Sequence, residues 1–301
     1  MEIIVGTRGS QLALSQTGDI IKILEGYHPH VKFTLKIIKT KGDSIQHIAL
    51  DQIGEKALFV KEIEEELLNG TIDFAVHSMK DMPSDVPEGL CFGPVPKRED
   101  VRDVLILKEG YKTLEELPLG ARIGTGSKRR SYQLLKLRPD LEIVPIRGNI
   151  DTRIKKIKLE NLEGIVLAAA GLHRLKLKEQ ISVYLPVTKM VPAPGQGALA
   201  LEMRQEDKRV QDILAPLYDE ESCLTVAAER GFMDGLNGSC HLPMGAYAEL
   251  SEGRLILTGL YGDEGGKCLV LQKLEGPQEE AREIGLRLAK ELLKTYEEHI
   301  K

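Results

Sequence analysis

The sequence predicts an α/β protein of two lobes across a cleft, followed by a smaller α+β domain. Three observations carry that expectation. Over the first two thirds of the chain, short apolar runs alternate with amphipathic ones, as strands do with the helices that follow them. Two strand-to-helix junctions look alike, Val5-Gly6-Thr7-Arg8-Gly9-Ser10 and Ile123-Gly124-Thr125-Gly126-Ser127. Beyond Leu214 the texture changes to a helix, several strand-like runs and a closing helix.

In order, Ile3 to Gly6 reads as a strand, and Ser10 to Glu25 as a helix with Ala13, Ile20, Ile21 and Leu24 on one face. Phe33 to Thr40 is a second strand, Phe59 to Leu68 a helix, and Ile72 to Ser78 a buried strand. The pattern restarts with strands at Val104 to Leu107 and Arg122 to Gly124, a helix at Lys128 to Leu137, and a strand at Ile143 to Ile146. A helix at Ile150 to Leu159 and a strand at Ile165 to Ala168 complete it, and the sheets are expected to be largely parallel. Proline-rich segments, Pro83 to Pro96 and Pro186 to Pro194, close the two blocks. The last part reads as a helix from Glu220 to Leu236, strands near Ala246, Leu255 and Cys268, and a helix with Ala281, Ile284, Leu288 and Leu292 on one stripe. The expected domains are 1–96 with 197–215, then 101–191, then 219–301.

A chain of 301 residues is long enough for two or three domains. Its net charge of -5 argues against a nucleic-acid partner, which calls for a basic excess. Cys91, Cys223, Cys240 and Cys268 are widely spaced and form no C-x-x-C pair, so no metal site or redox dithiol is signalled. Reduced thiols in a cytoplasmic protein are the expectation. Met1 runs straight into Glu2-Ile3-Ile4-Val5-Gly6 with no signal-peptide pattern, and no apolar run approaches the roughly 20 residues of a membrane span.

Binding of anions must then come from local clusters of cations. In Gly124-Thr125-Gly126-Ser127-Lys128-Arg129-Arg130 a strand ends and hydroxyl residues cap a helix whose first turn holds two arginines. Cations there oppose the helix dipole, a local cost that an anion would offset; a solvated basic turn is the plain alternative. Arg8, Arg147, Arg153 and Arg174 fall at or just past other strand ends, where open α/β sheets bind ligands. So many guanidinium groups in an acidic chain suit a ligand with several carboxylates or phosphates. His77 follows a buried strand and reads as a packed residue, whereas Lys80 and Asp81 stand where that strand opens into a loop. A carboxylate among cations stays ionised and can stabilise positive charge on a substrate. Cys240, in Gly238-Ser239-Cys240-His241, sits in a loop and is expected to be more accessible than Cys223 or Cys268.

Taken together, these segments resemble the porphobilinogen deaminases, also called hydroxymethylbilane synthases. Thr7-Arg8-Gly9-Ser10, Lys61, His77 to Pro83, Arg129-Arg130, Arg147-Gly148-Asn149 with Thr152-Arg153, Ala170-Gly171-Leu172 with Arg174, Gly195-Gln196-Gly197-Ala198 and Gly238-Ser239-Cys240 fall in family order. The resemblance implies two lobes like those of solute-binding proteins with a hinged cleft, and a third domain that carries a cysteine facing it. It implies an enzyme that deaminates porphobilinogen and joins four units head to tail on a covalent dipyrromethane cofactor, releasing a linear tetrapyrrole without a metal. Cys240 corresponds to the thioether-forming thiol and Asp81 to the catalytic aspartate. Arg8, Arg129, Arg130, Arg147, Arg153 and Arg174 match the arginines that bind acetate and propionate groups. Ser10, Ser78, Lys80, Thr125, Ser127 and Gln196 match polar residues of the same cleft. The family suggests a cytoplasmic monomer with a small-molecule substrate and no nucleic-acid or membrane partner. Two departures stand out: Glu55-Lys56-Ala57 replaces a usual Gly-Lys-Gly, and Lys128 replaces a usual leucine. The rival class is a non-enzymatic two-lobed anion-binding protein, which would explain the arginines but not Lys80-Asp81 or an accessible Cys240.

Overall fold

The structure, a computed structural model, describes residues 1–40, 60–236, 242–263, 265–266 and 268–300. β1 (Glu2–Arg8) leads into α1 (Gln11–Tyr27), β2 (Lys32–Ile38), α2 (Lys61–Leu68), β3 (Phe74–Ser78) and the short β4 (Leu90–Phe92). The chain then crosses to β5 (Asp103–Leu107), β6 (Arg122–Gly124), α3 (Lys128–Leu137), β7 (Glu142–Val144) and α4 (Ile150–Leu159). There it continues through β8 (Gly164–Ala168), α5 (Ala169–Arg174) and β9 (Val183–Tyr184). A second crossing returns it to β10 (Leu199–Arg204) and α6 (Lys208–Leu214). The last unit is α7 (Glu220–Gly235), β11 (Gly245–Ser251), β12 (Arg254–Gly262), β13 (Leu269–Pro277) and α8 (Ala281–Ile300). This is the expected α/β architecture, two sheet-and-helix lobes plus a smaller three-stranded unit.

The two lobes share one strand plan, β2-β1-β3-β10-β4 and β7-β6-β8-β5-β9. In each, the second strand, β1 or β6, runs parallel to both neighbours. The fourth strand runs antiparallel to both of its own. The sheets are therefore mixed, not largely parallel. Each antiparallel strand, β5 and β10, is the one reached by a crossing from the other lobe, so no right-handed strand-helix-strand connection sets its direction. β7 ends at Val144, short of the expected Ile146, since Pro145 has no N–H for a sheet ladder.

Local chemistry sets the helix starts. Ser10, Ser127 and Asp219 accept a backbone N–H of the first turn of α1, α3 and α7. Each sheet buries an apolar face: Ile3, Val5, Phe74 and Leu201 pack with Leu24 of α1, and Leu105, Ile123 and Val166 with Leu134 of α3. In the third unit, Phe232 of α7 and Leu288 of α8 lie fully buried over the sheet. A Cβ at Gly285 would collide with the Ala228 carbonyl, so glycine lets α7 and α8 touch backbone to backbone. The crossings also touch: the Glu99 N–H donates to the Gly197 carbonyl at 3.3 Å. Gly197 has φ +90° and no room for a side chain against Glu99, which is why the second crossing carries glycine there.

Candidate functional site

The site forms where strand ends of both lobes meet the crossings. β3 ends at Ser78 and passes into a single 3-10 turn, Met79–Asp81, that presents Lys80 and an exposed Asp81. Met79 and Met82, on either side, are buried, so the turn is anchored while Asp81 is left exposed. The Ser78 hydroxyl accepts from Gln16 Nε2 of α1 at 2.9 Å. Lys80 Nζ donates to Gln196 Oε1 of the second crossing at 3.3 Å. Burial, reinforced by Arg130, pushes the Lys80 ammonium down to about 8 against the pull of Asp81 and Asp103.

From the second lobe come Arg129 and Arg130, both buried. Arg129 reaches Asp103 Oδ2 at 2.6 Å, and Arg130 reaches Asp103 Oδ1 through Nε at 2.9 Å and a terminal nitrogen at 2.7 Å. Gln196 Nε2 adds a bond to the same carboxylate at 3.0 Å. Burial alone would raise the Asp103 carboxyl, but the two arginines overcome it and hold it well below the usual carboxylate range. Asp103 is thus an anion that offsets the cost of two cations in the first turn of α3. Sequence reasoning missed it. Its one signal was a carboxylate at the head of the apolar strand Val104 to Leu107, which reads as a turn residue unless its partners are known.

Arg153 of α4 donates to the Gly148 carbonyl at 2.7 Å. Burial lowers it to about 10, with Arg130 and Arg147 adding and Asp81 opposing. Arg174 closes α5 and donates to the Gly197 carbonyl at 2.7 Å; burial lowers it too, against Glu99. Among the described residues Lys80, Arg153 and Arg174 therefore bond to neutral oxygens and form no ion pair. Arg147, half-buried, follows β7, and Arg8, half-buried, ends β1. The hydroxyls are more local: Ser10 and Ser127 cap helices, and Thr125 accepts the Ser127 N–H at 3.2 Å. Among the described residues, Lys80, Arg153 and Arg174 thus leave cation charge in excess near Asp81, as a bound polycarboxylate requires, and the donor set fits a pyrrole chain bearing acetate and propionate groups.

Two further pairs lie beside these residues. His77 is buried and faces Glu202 of β10 at 3.2 Å, the packed role expected of it. Arg98 of the first crossing holds Glu229 of α7 through two bonds of 2.8 and 2.7 Å, and Glu229 also accepts the Gly195 and Ala248 N–H groups. That pair joins crossings and third unit, and sequence reasoning missed it as well. Cys240, Lys56 and the start of the expected helix at Phe59 lie outside the described residues. Cys91, Cys223 and Cys268 are free, half-buried thiols. Among the described residues no helix is long and apolar enough to cross a membrane.

Comparison with known proteins matches most of the chain in two parts. Residues 3–212 match the family model described as porphobilinogen deaminase, dipyrromethane cofactor binding domain. Residues 223–294 match the model for the porphobilinogen deaminase C-terminal domain. The porphobilinogen deaminase of Clostridioides difficile (strain 630) is 58% identical over 299 residues, covering 99% of this chain and 99% of its own. That of Clostridium novyi (strain NT) is 53% identical over 98% of this chain and 99% of its own. Among solved structures, a periplasmic binding protein of Salmonella typhimurium described for its arginine specificity aligns at 15% identity and a TM-score of 0.41. It covers 73% of this chain and 93% of that one.

Proposed function

The chain belongs to the porphobilinogen deaminase family, and on that footing we propose how its residues divide the work of an enzyme that builds a linear tetrapyrrole. The dipyrromethane cofactor supplies, when bound, the pyrrole α-carbon to which substrate units are added. Cys240 holds it through a thioether. Lys80, Arg153 and Arg174, together with Arg8 and Arg147, grip the acetate and propionate groups of cofactor, substrate and growing chain. Arg129 and Arg130 face the same cleft, their forks aligned by Asp103. Ser10, Ser78, Thr125, Ser127 and Gln196 complete its polar lining.

Asp81 is the chemical residue. The observation that supports this most is its place: an exposed carboxylate on a short turn, its charge felt at Lys80 of its own lobe and at Arg153 of the other. Ammonia leaves porphobilinogen most easily if the positive charge left on the pyrrole is stabilised, and a fixed carboxylate does so without reorganising. It can also accept the proton released as each new bond forms. The surplus of cations around it binds the carboxylates of cofactor, substrate and growing chain.

The units 1–96 with 197–215, 101–191 and 219–301 act as separate bodies about the two crossings, in a cytoplasmic monomer. A non-enzymatic anion-binding role is not favoured, since the cofactor-binding domain spans both lobes. Intact mass of the purified protein tests the assignment of the thiol. Wild type should carry a two-pyrrole adduct and Cys240→Ser should not, while Cys223→Ser and Cys268→Ser should keep it. An adduct mapped to another residue would refute it.

A further inference from the structure

We infer that Arg230 is a positioning residue for Asp81, through which the helix of the third unit sets the direction of the carboxylate in the cleft. The inference rests on the reading of Asp81 given above. Cys223, Val226 and Arg230 follow one another by three and four positions on α7, so they share one face. That face lies on the turn that presents Asp81. Val226 and Cys223 belong to one apolar cluster with Met79 and Met82, the residues that bracket Lys80 and Asp81.

Arg230 finishes the contact with polar atoms. It donates to the Pro83 carbonyl at 2.8 Å and to that of Ser84 at 3.4 Å, and lies 3.8 Å from the Met79 sulfur. Its guanidinium stands 5.0 Å over the Phe92 ring of β4. Among the described residues it forms no ion pair; burial lowers its pKa, with the charge of Asp234 opposing and that of Arg282 adding. Its charge is therefore committed to two carbonyls of the segment that follows Asp81.

That commitment matters because the turn is weak by itself. A 3-10 helix of three residues holds its shape by little more than the Met82 N–H to Met79 carbonyl bond at 3.1 Å. Upstream, the Met79 N–H is tied to the Ala198 carbonyl at 3.0 Å. Downstream, among the described residues, Arg230 is the polar tie. Without it one end of the turn stays fixed and the other is held by apolar packing alone, so Asp81 samples directions in which it stabilises no charge. The cations that bind carboxylates are untouched. The effect should therefore fall on kcat and spare KM, by about 10- to 100-fold, the scale of an ångström-sized misplacement.

The experiment measures kcat and KM of Arg230→Met, Arg230→Lys, Asp81→Asn, Asp81→Glu and the Arg230→Met/Asp81→Glu double variant. All are holoenzymes with the adduct confirmed by mass, assayed well below the lowest Tm. Met keeps the stem over Phe92 and loses the donors; Lys keeps charge and one donor and should recover part of the rate. If Arg230 acts through Asp81, its loss should cost little where Asp81→Glu has already misplaced the carboxylate. A wild-type kcat in Arg230→Met while Asp81→Asn is slow, or single effects that multiply fully in the double variant, overturns the inference and leaves Asp81's role standing. Wild-type turnover in Asp81→Asn removes the reading beneath it. Should Arg230→Met not fold, Arg230→Lys carries the same comparison in both backgrounds.

Discussion

Replacing Asp103 by Asn tests the charge arrangement of the cleft at its least exposed point. Asp103 has no exposed surface and receives Arg129, Arg130 and Gln196. Asn preserves the shape but removes the charge, leaving two buried guanidinium groups without their counter-ion and one of its oxygens replaced by a donor. Removing one partner of a buried ion pair costs about 3–5 kcal/mol, and because two cations share this one, the upper part of that range is expected. Denaturant unfolding at pH 7 measures it as a fall in midpoint at unchanged slope. The pH dependence follows from the direction of the shift. The native carboxyl titrates below its unfolded value, so its contribution is present above that value and is lost as pH falls through the native one. The gap between wild type and variant should be constant from about pH 6 to 9 and narrow only below about pH 4. A gap under about 1 kcal/mol at pH 7 would show that the arginines find other partners and that Asp103 does not organise them.

Other substitutions separate neighbouring roles. Arg147→Lys keeps charge but loses the planar fork, so kcat/KM should fall by about 2–4 kcal/mol equivalent, and kinetics within about twofold of wild type would place it outside the cleft. Arg130→Lys should lower stability as well as activity, because Arg130 bonds through all three guanidinium nitrogens to Asp103 and the Val166 carbonyl. Glu64, buried on α2, is pushed up to about 7 by burial, with Glu202 and Glu65 adding and Lys61 opposing. Its neutral form stabilises the fold below the unfolded value, and that contribution is lost as pH rises through about 7. Between pH 5.5 and 8 the Tm of wild type should therefore drop more than that of Glu64→Gln; equal drops would mean that Glu64 is ionised throughout.

The sequence made some of this legible and hid the rest for identifiable reasons. Ser127 could be read as a cap because capping chemistry is local, and the structure has it accepting a first-turn N–H; Ser10, where the sequence reading began the first helix, is a cap as well. The exit of β3 into Lys80-Asp81 was visible because a buried strand ending in charged residues before a proline has few other readings. The two arginines of α3 were noticed for opposing the helix dipole, but the anion beside them in the fold is Asp103, 26 and 27 residues away in the chain. Such a pair is invisible without the tertiary fold, as is Arg98 with Glu229 across 131 residues. The mixed sheets were missed for the same kind of reason. Periodicity reports a strand's burial and not its direction, and the direction of β5 and β10 is fixed by crossings whose residues look like ordinary connectors.

The comparison of Asp81→Asn with Asp81→Glu tests the central claim most directly, using turnover of porphobilinogen by holoenzymes matched for adduct mass. Asn keeps the shape and removes the charge; Glu keeps the charge and displaces it. If Asp81 stabilises positive charge during the reaction, Asn should slow turnover by roughly two or more orders of magnitude with modest change in KM, and Glu should be slow but faster than Asn. If Asp81 only shapes the turn before Pro83, Asn would serve there nearly as well as Asp. Turnover of Asp81→Asn at or above that of Asp81→Glu would contradict the account.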